Sequence, residues 1–390
     1  MLHHDFEKKL NRRGTNCWKW DYEGKLVKYP MGVADTDFSI AAPIAESLHN
    51  KINEGALAYG AGCGDFYEAV SGYYERRHGV KISDKNIRFA PGLMVALNLF
   101  CEAFTRPGDM VILQPPVYHA FRKTIELAGR HVLDNPLIYN EDTCTYDIDF
   151  EDLEKKASNP RARIMIVCNP ANPTCRAFSK EELARIFDIC HRNHVIVVSD
   201  EVHSDIYYHG RKHISMLAAS PEAEKYAIVM SADGKTFNLH GFYTSFVMLP
   251  NEWMRQQYDL AFQYNHLDYS VMGCTAATTA YSKCDYYVDE LVEYLEGNLE
   301  YLRKFVKEEL KMVSMAEPYA TYLMWLDFRK WGLSGTELHK FLADHGVGLS
   351  NGEKFGVGGE GFMRMNIACH RSTLEGALNA IKEAEAELSK

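Results

Sequence analysis

Between Ile87 and Leu249 the chain repeats one pattern, and that repetition limits its possible folds more than any other feature. Apolar runs of strand length recur at Ile87–Ala90, Met110–Leu113, His131–Leu133, Ile164–Cys168, Val195–Ser199, Ala227–Ser231 and Ser245–Leu249. Most are rich in Val and Ile and bounded by turn residues. Helical stretches lie between several of them, at Val117–Leu127 and Lys180–Asn193; the second opens with Ser179 and has Glu182 three residues on, a capping-box spacing. Such alternation predicts an α/β fold with a largely parallel sheet and helices on both faces. Upstream, helical patterns run over 41–54 and 65–77. Beyond Leu249 the pattern changes to a charged helical stretch over 286–311, strands at Thr321–Phe328 and Phe362–Ile367, and a final helix from Ser372. The expected division is a large domain over 42–286 and a smaller α+β domain made of 1–41 together with 287–390.

Charge and apolar run length exclude several function classes. The 390 residues carry 43 basic and 53 acidic side chains, a net −10, with no basic block to follow a nucleic-acid backbone. A membrane span needs ~20 consecutive apolar residues, and runs such as Ile164–Cys168 fall far short. The start, MLHHDFEKKLNRRG, lacks the apolar stretch of a secretory signal. The ten cysteines form no Cys-x-x-Cys pair, and several sit in apolar segments. Buried reduced thiols in a cytoplasmic protein, with no metal site, are therefore expected.

Ligands of an open parallel sheet bind at the carboxyl ends of its strands. Three such ends here carry distinctive groups: Asn169-Pro170-Ala171-Asn172-Pro173-Thr174, then Asp200-Glu201-Val202-His203, then Asp233-Gly234-Lys235-Thr236. An amide, a carboxylate and an amine thus converge on one rim, which suits an acid-paired pyridinium and an imine-forming lysine. His203 is placed either near that ring or in helix packing. Two glycine patterns are discarded. Gly234-Lys235-Thr236 lacks the upstream glycine of a phosphate loop, because Val229 stands there; Gly60-Ala61-Gly62-Cys63-Gly64 has the wrong spacing for a dinucleotide fingerprint.

Seven ordered blocks carry a resemblance over nearly the whole chain. They are NRRGTN at 11–16 with Lys19-Trp20-Asp21, PMGVADTDF at 30–38, QPPVYHAF at 114–121, CNPANPT at 168–174, SDEVHSD at 199–205, KTFNLHG at 235–241 and GEGFMRMNIA at 359–368. The chain resembles the fold-type-I, pyridoxal-phosphate-dependent aminotransferase superfamily, and within it the MalY/PatB-type cystathionine β-lyases, or C–S lyases. The resemblance implies the type I transferase fold, with a mostly parallel seven-stranded sheet between helices and a smaller α+β domain. It implies pyridoxal 5′-phosphate as cofactor, with Lys235 holding it as a Schiff base and later serving as acid and base. Asp200 would bond the pyridine nitrogen, Asn172 the phenolic oxygen, and Tyr118 would stack on the ring. The amides of Gly92 and Leu93 would hold the phosphate at a helix start, and Arg364 the α-carboxylate of a small amino-acid substrate. Tyr59 would reach across a homodimer interface to the partner's phosphate.

The implied reaction is β-elimination from L-cystathionine or related cysteine S-conjugates, giving thiol, pyruvate and ammonia. The same residues would serve an aminotransferase, and a third reading is a regulatory partner-binding protein with incidental lyase activity. Five positions depart from the pattern. Gly32 stands for a usual Trp, which implies a wider substrate pocket, and Thr36 for a usual Met. Cys175 stands for the Gly closing the Asn-Pro-Thr turn. Ala232 and Gly234 stand where hydroxyl residues are usual, so one phosphate hydrogen bond is lost or rerouted.

Overall fold

The computed structural model describes residues 3–60 and 62–388. Met1 and Leu2 of the N-terminal reading, and Ala61 of the glycine-rich run, lie outside the described residues. Seven strands form one sheet in the order Ile87–Ala90, Ser245–Met248, Ile228–Ala232, Ile196–Asp200, Ala162–Cys168, Met110–Leu113, His131–Asp134. All run parallel except Ser245–Met248, which is antiparallel to both its neighbours.

The uniformly apolar strands follow from burial on both faces. Successive side chains point to opposite sides, so Ile164, Ile166, Val198, Ile228 and Met230 join one buried cluster. Met165, Val167, Val197 and Val229 join the other. Each such side chain contributes about 1.5–3 kcal/mol on burial. The crossover helices close with their own caps: Ser179 and Glu182 exchange both bonds of a capping box ahead of the helix Lys180–Arg192. Strand limits differ from the sequence reading by a residue or two.

A second, antiparallel sheet follows the order Ser314–Met315, Leu323–Asp327, Phe362–Asn366, Ser350–Asn351. The helices Asp285–Glu309 and Arg371–Leu388 belong to the same half of the chain and contact one another. The N-terminal segment runs along this sheet. Tyr29 and Pro30 pair in parallel with Val347 and Gly348, the Asn366 amide donates to the Met31 carbonyl, and the Asp37 amide donates to that of Ala368. No described helix is long and apolar enough to cross a membrane.

Candidate active site

The strand Ile196–Asp200 is the middle of the seven, and its last residue is a carboxylate 4% exposed. Asp200 accepts one hydrogen bond, from the Val202 amide at 3.1 Å. Burial pushes its carboxyl up to about 7, against the pull of that amide and of the Lys235 charge. The next residue, Glu201, faces the other way and is fully partnered by His213, Ser215 and the Met216 amide. Of the two acids, Asp200 is the one short of a donor.

Lys235 follows the neighbouring strand Ile228–Ala232 and donates from Nζ to the Ala34 carbonyl at 2.8 Å. Burial, helped by Arg364, brings its amine down to about 8, while Asp35 and Asp200 oppose the fall. Its turn is pinned by Thr236, whose hydroxyl donates to Asp205 at 2.6 Å. Asp205 also accepts from the Tyr73 hydroxyl at 2.7 Å.

Asn172 lies in the loop after Ala162–Cys168. Its Oδ1 accepts from Arg364 Nη1 at 2.9 Å, which leaves the amide nitrogen to donate elsewhere. Arg364, on the strand Phe362–Asn366 and 4% exposed, also donates from Nη2 to the Gly32 carbonyl at 2.7 Å and Ser350 Oγ at 3.3 Å. Its Nε has no partner, and no described carboxylate lies within ion-pair distance of it. Burial lowers the guanidinium to about 10. A buried cation without a counter-ion is costly, and this one is poised for an anion.

These groups share one space. Gly92, Leu93, Tyr118, Asn172, Asp200 and Lys235 line a narrow cavity of about 190 Å³. It adjoins a cleft of about 910 Å³ that Arg364, Lys235 and Tyr118 also line. At the cavity's far end the helix Leu93–Phe104 begins behind Gly92, and no side chain caps it. Its first amides are therefore available to an anion. Gly92 takes φ +106, a conformation that side-chain-bearing residues rarely adopt. Tyr59 is the expected residue that does not join: it is 96% exposed and lies in a separate depression with Gly60 and Cys63.

The structure decides between the two readings of His203 and adds neighbours that the sequence did not show. His203 sits in a turn, not a helix, lines the cavity, and has an unpartnered buried Nδ1. His240 and Tyr243 line both the cavity and the cleft. Asp35, which raises the Lys235 amine, belongs to a network with Arg12 Nη2 at 2.8 Å and Lys19 Nζ at 3.7 Å. The Gly32 departure is recast. A Cβ there would stand 3.2 Å from both the backbone nitrogen and Oγ of Ser350, so in that direction the space is filled by Ser350 and is not an enlargement of the pocket. Cys175 holds φ +59, which is why glycine suits that turn; its Sγ donates to the Leu323 carbonyl at 2.8 Å.

A buried acid lacking a donor, a depressed amine, an unpaired guanidinium and an uncapped helix start fit a phosphorylated pyridine aldehyde bearing an amino acid. The comparisons with known proteins agree. The family model for class I and II aminotransferases matches residues 45–381. Cystathionine beta-lyase PatB of Bacillus subtilis is 40% identical over 386 residues, covering 97% of this chain and 99% of that one. Protein MalY of Escherichia coli is 29% identical, covering 97% and 99%. Among solved structures, cystalysin from Treponema denticola, which contains pyridoxal 5′-phosphate, superimposes with TM-score 0.95 at 26% identity, covering 99% and 100%. The PLP-bound C–S lyase from Staphylococcus hominis gives 0.91 at 28% identity, covering 98% of each chain. With its fold, its strand-end residues and these likenesses in accord, the chain belongs to the class I and II aminotransferase family, on the MalY/PatB branch.

Proposed function

We propose that this chain is a pyridoxal-phosphate-dependent C–S β-lyase that cleaves L-cystathionine or related cysteine S-conjugates to a thiol, pyruvate and ammonia. The observation that carries the reading is a single cavity in which a depressed Lys235 amine faces Asp200 and adjoins the unpaired Arg364. The 40% identity to a cystathionine beta-lyase favours elimination over amino transfer. When bound, the cofactor supplies an electron sink that acidifies the substrate Cα and lets a thiolate leave Cβ.

The side chains do the rest. Asp200 accepts the pyridine N–H and keeps that nitrogen protonated, which in turn stabilises its own buried charge. Asn172 donates its amide to the phenolic oxygen, and Tyr118 covers the ring face. Arg364 forks the α-carboxylate, orienting the Cα–H toward Lys235. Nζ of Lys235, its amine lowered to about 8, takes the Cα proton near neutral pH. The amides of Gly92 and Leu93 hold the phosphate. The exposed Tyr59 ring, outside its own chain's cavity, supports a homodimer in which it completes the partner's phosphate site. Residues 42–286 act as the large unit and 1–41 with 287–390 as the small one, in a cytoplasmic enzyme.

The test is pyruvate formation from L-cystathionine by the cofactor-loaded protein with no keto acid added, with Lys235→Ala as control. Steady multiple turnover, lost in the control, is expected. No pyruvate, with the substrate converted to its own keto acid once per site and again only when a second keto acid is supplied, would make the chain an aminotransferase.

A further inference from the structure

Between the strand Ile228–Ala232 and Lys235 the wall of the cavity carries little polarity. Ala232 and Gly234 face it, and neither offers a hydroxyl. Opposite them stands His240, five residues beyond Lys235, in the space that a side chain at 234 would need. A Cβ on Gly234 would come within 3.1 Å of both Cα and Nδ1 of His240. Contacts this short are tighter than nearly all real Cβ contacts, so a side chain at 234 would press on His240 and make it give by a few tenths of an ångström.

The position of His240 relative to the other groups narrows what it can touch. Lys235 and Asp35 are the charges that act on it; Arg364 and Asp200 are not among them. It lines the cavity together with Gly92 and Leu93, the residues at the open helix start. Its nearer neighbour is Tyr243, whose ring centroid lies 6.3 Å away. Tyr243 takes a left-handed φ of +52 that turns its ring toward Gly92, at the open helix start. No described side chain or backbone group hydrogen-bonds the His240 ring. Two hydroxyl residues, Thr244 and Ser245, also line the cavity, and Thr244 donates to the Phe242 carbonyl at 3.4 Å.

Resting on the cofactor reading above, we infer that His240 is a ligand of the cofactor's phosphate, occupying the room left by Gly234 and donating the hydrogen bond that Ala232 and Gly234 cannot. The helix Leu93–Phe104 supplies the other donors through its first amides. In the free protein the charge of Lys235, with burial, lowers the His240 imidazole to about 4, so it is neutral and offers one N–H. A nearby dianion reverses that field and strengthens the bond.

The experiment titrates apo wild type, His240→Ala, His240→Asn and the double variant Gly234→Ser/His240→Ala with pyridoxal phosphate and with pyridoxal. The absorption band of the Lys235 adduct and its trapping by borohydride report binding. Expected is a loss of about tenfold or more in affinity for pyridoxal phosphate in His240→Ala. Pyridoxal, which lacks the phosphate, should change less than about twofold. His240→Asn, which keeps a donor, should lose less. With the imidazole gone, the side chain of Gly234→Ser is relieved of the 3.1 Å contact with Nδ1 and supplies a hydroxyl donor on the same wall, so the double variant should regain most of the loss. Equal losses for both aldehydes, or unchanged cofactor affinity with only a raised KM, would overturn the inference and leave the cofactor reading intact. No trapped adduct in wild type would overturn both.

Discussion

Replacing Asp200 with Asn separates the role of this acid in the empty site from its role in the loaded one, and the two effects have opposite signs. An ordinary aspartate titrates near ~4, whereas burial lifts Asp200 to about 7. A carboxyl raised on folding is easy to fold around when protonated and costly when ionised. The cost is absent below pH ~4, grows between there and pH ~7, and is full above. By linkage it is about 4 kcal/mol at pH 8 and about 1.5 kcal/mol at pH 5. Asn carries no charge and keeps an oxygen for the Val202 amide, so apo Asp200→Asn should be more stable than apo wild type. For a chain of this length the gain at pH 8 is about 5 °C in Tm, shrinking to under half at pH 5. Loading with pyridoxal phosphate should reverse the order, because only the acid gains a buried counter-ion. The paired charge is worth about 3–5 kcal/mol when one partner is removed, so turnover should fall by about 10²–10⁴ if the whole of it is felt in the transition state. Thermal melts of both proteins, apo and loaded, at the two pH values provide the measurement. An apo variant no more stable than wild type at pH 8, or a stability gain independent of pH, would refute the reasoning.

Two further substitutions address the substrate end. Arg364→Lys keeps the charge but loses the fork and the two-way tie to Asn172 and Gly32; KM for the amino acid should rise about 30–100-fold with a smaller change in kcat, and an unchanged KM would remove Arg364 from carboxylate binding. Gly32→Ala forces Ser350, which is paired with Arg364 across two strands, to yield by a few tenths of an ångström. A cost of about 1–3 kcal/mol and a several-fold rise in KM should follow, checked by melting and steady-state kinetics; wild-type values of both would show that Ser350 moves freely.

How much of the site could be read from sequence depended on where each residue lies along the chain. Asn172, Asp200 and Lys235 follow directly after apolar strands, so the strand pattern alone puts them on one rim. Tyr118 and Arg364 become visible only through resemblance to relatives: an arginine inside an apolar strand says nothing of its counter-ion until Gly32 and Asn172 are found beside it. His240 depends on an absence, the missing Cβ of Gly234, and no periodicity signals an empty volume. His203 is open to two readings from sequence alone; the structure has a series of turns after Asp200 in place of a helix, and these direct the imidazole into the cavity. Asp35 acts on Lys235 across 200 residues of sequence, a distance that local pattern cannot bridge. Short elements such as the hairpin of Ile138–Asn140 with Thr145–Asp147 are too brief to show alternation.

The N-terminal segment has a consequence for how the protein is made. At 29–38 it bonds to its own upstream neighbours Arg12, Lys19 and Trp20, and also to residues synthesised much later: Lys235 and Asn238 reach the carbonyls of Ala34, Thr36 and Phe38, and Val347, Gly348, Arg364, Asn366 and Ala368 follow. At ~5–20 residues per second the ribosome delivers those partners on the order of 15–65 s after the segment itself emerges. For that interval the segment has only its own local contacts, because the strands it runs along have not yet been made. Because the Ala34 carbonyl that holds Lys235 sits on this segment, the amine reaches its native seat only after the strand Phe362–Asn366 has been made.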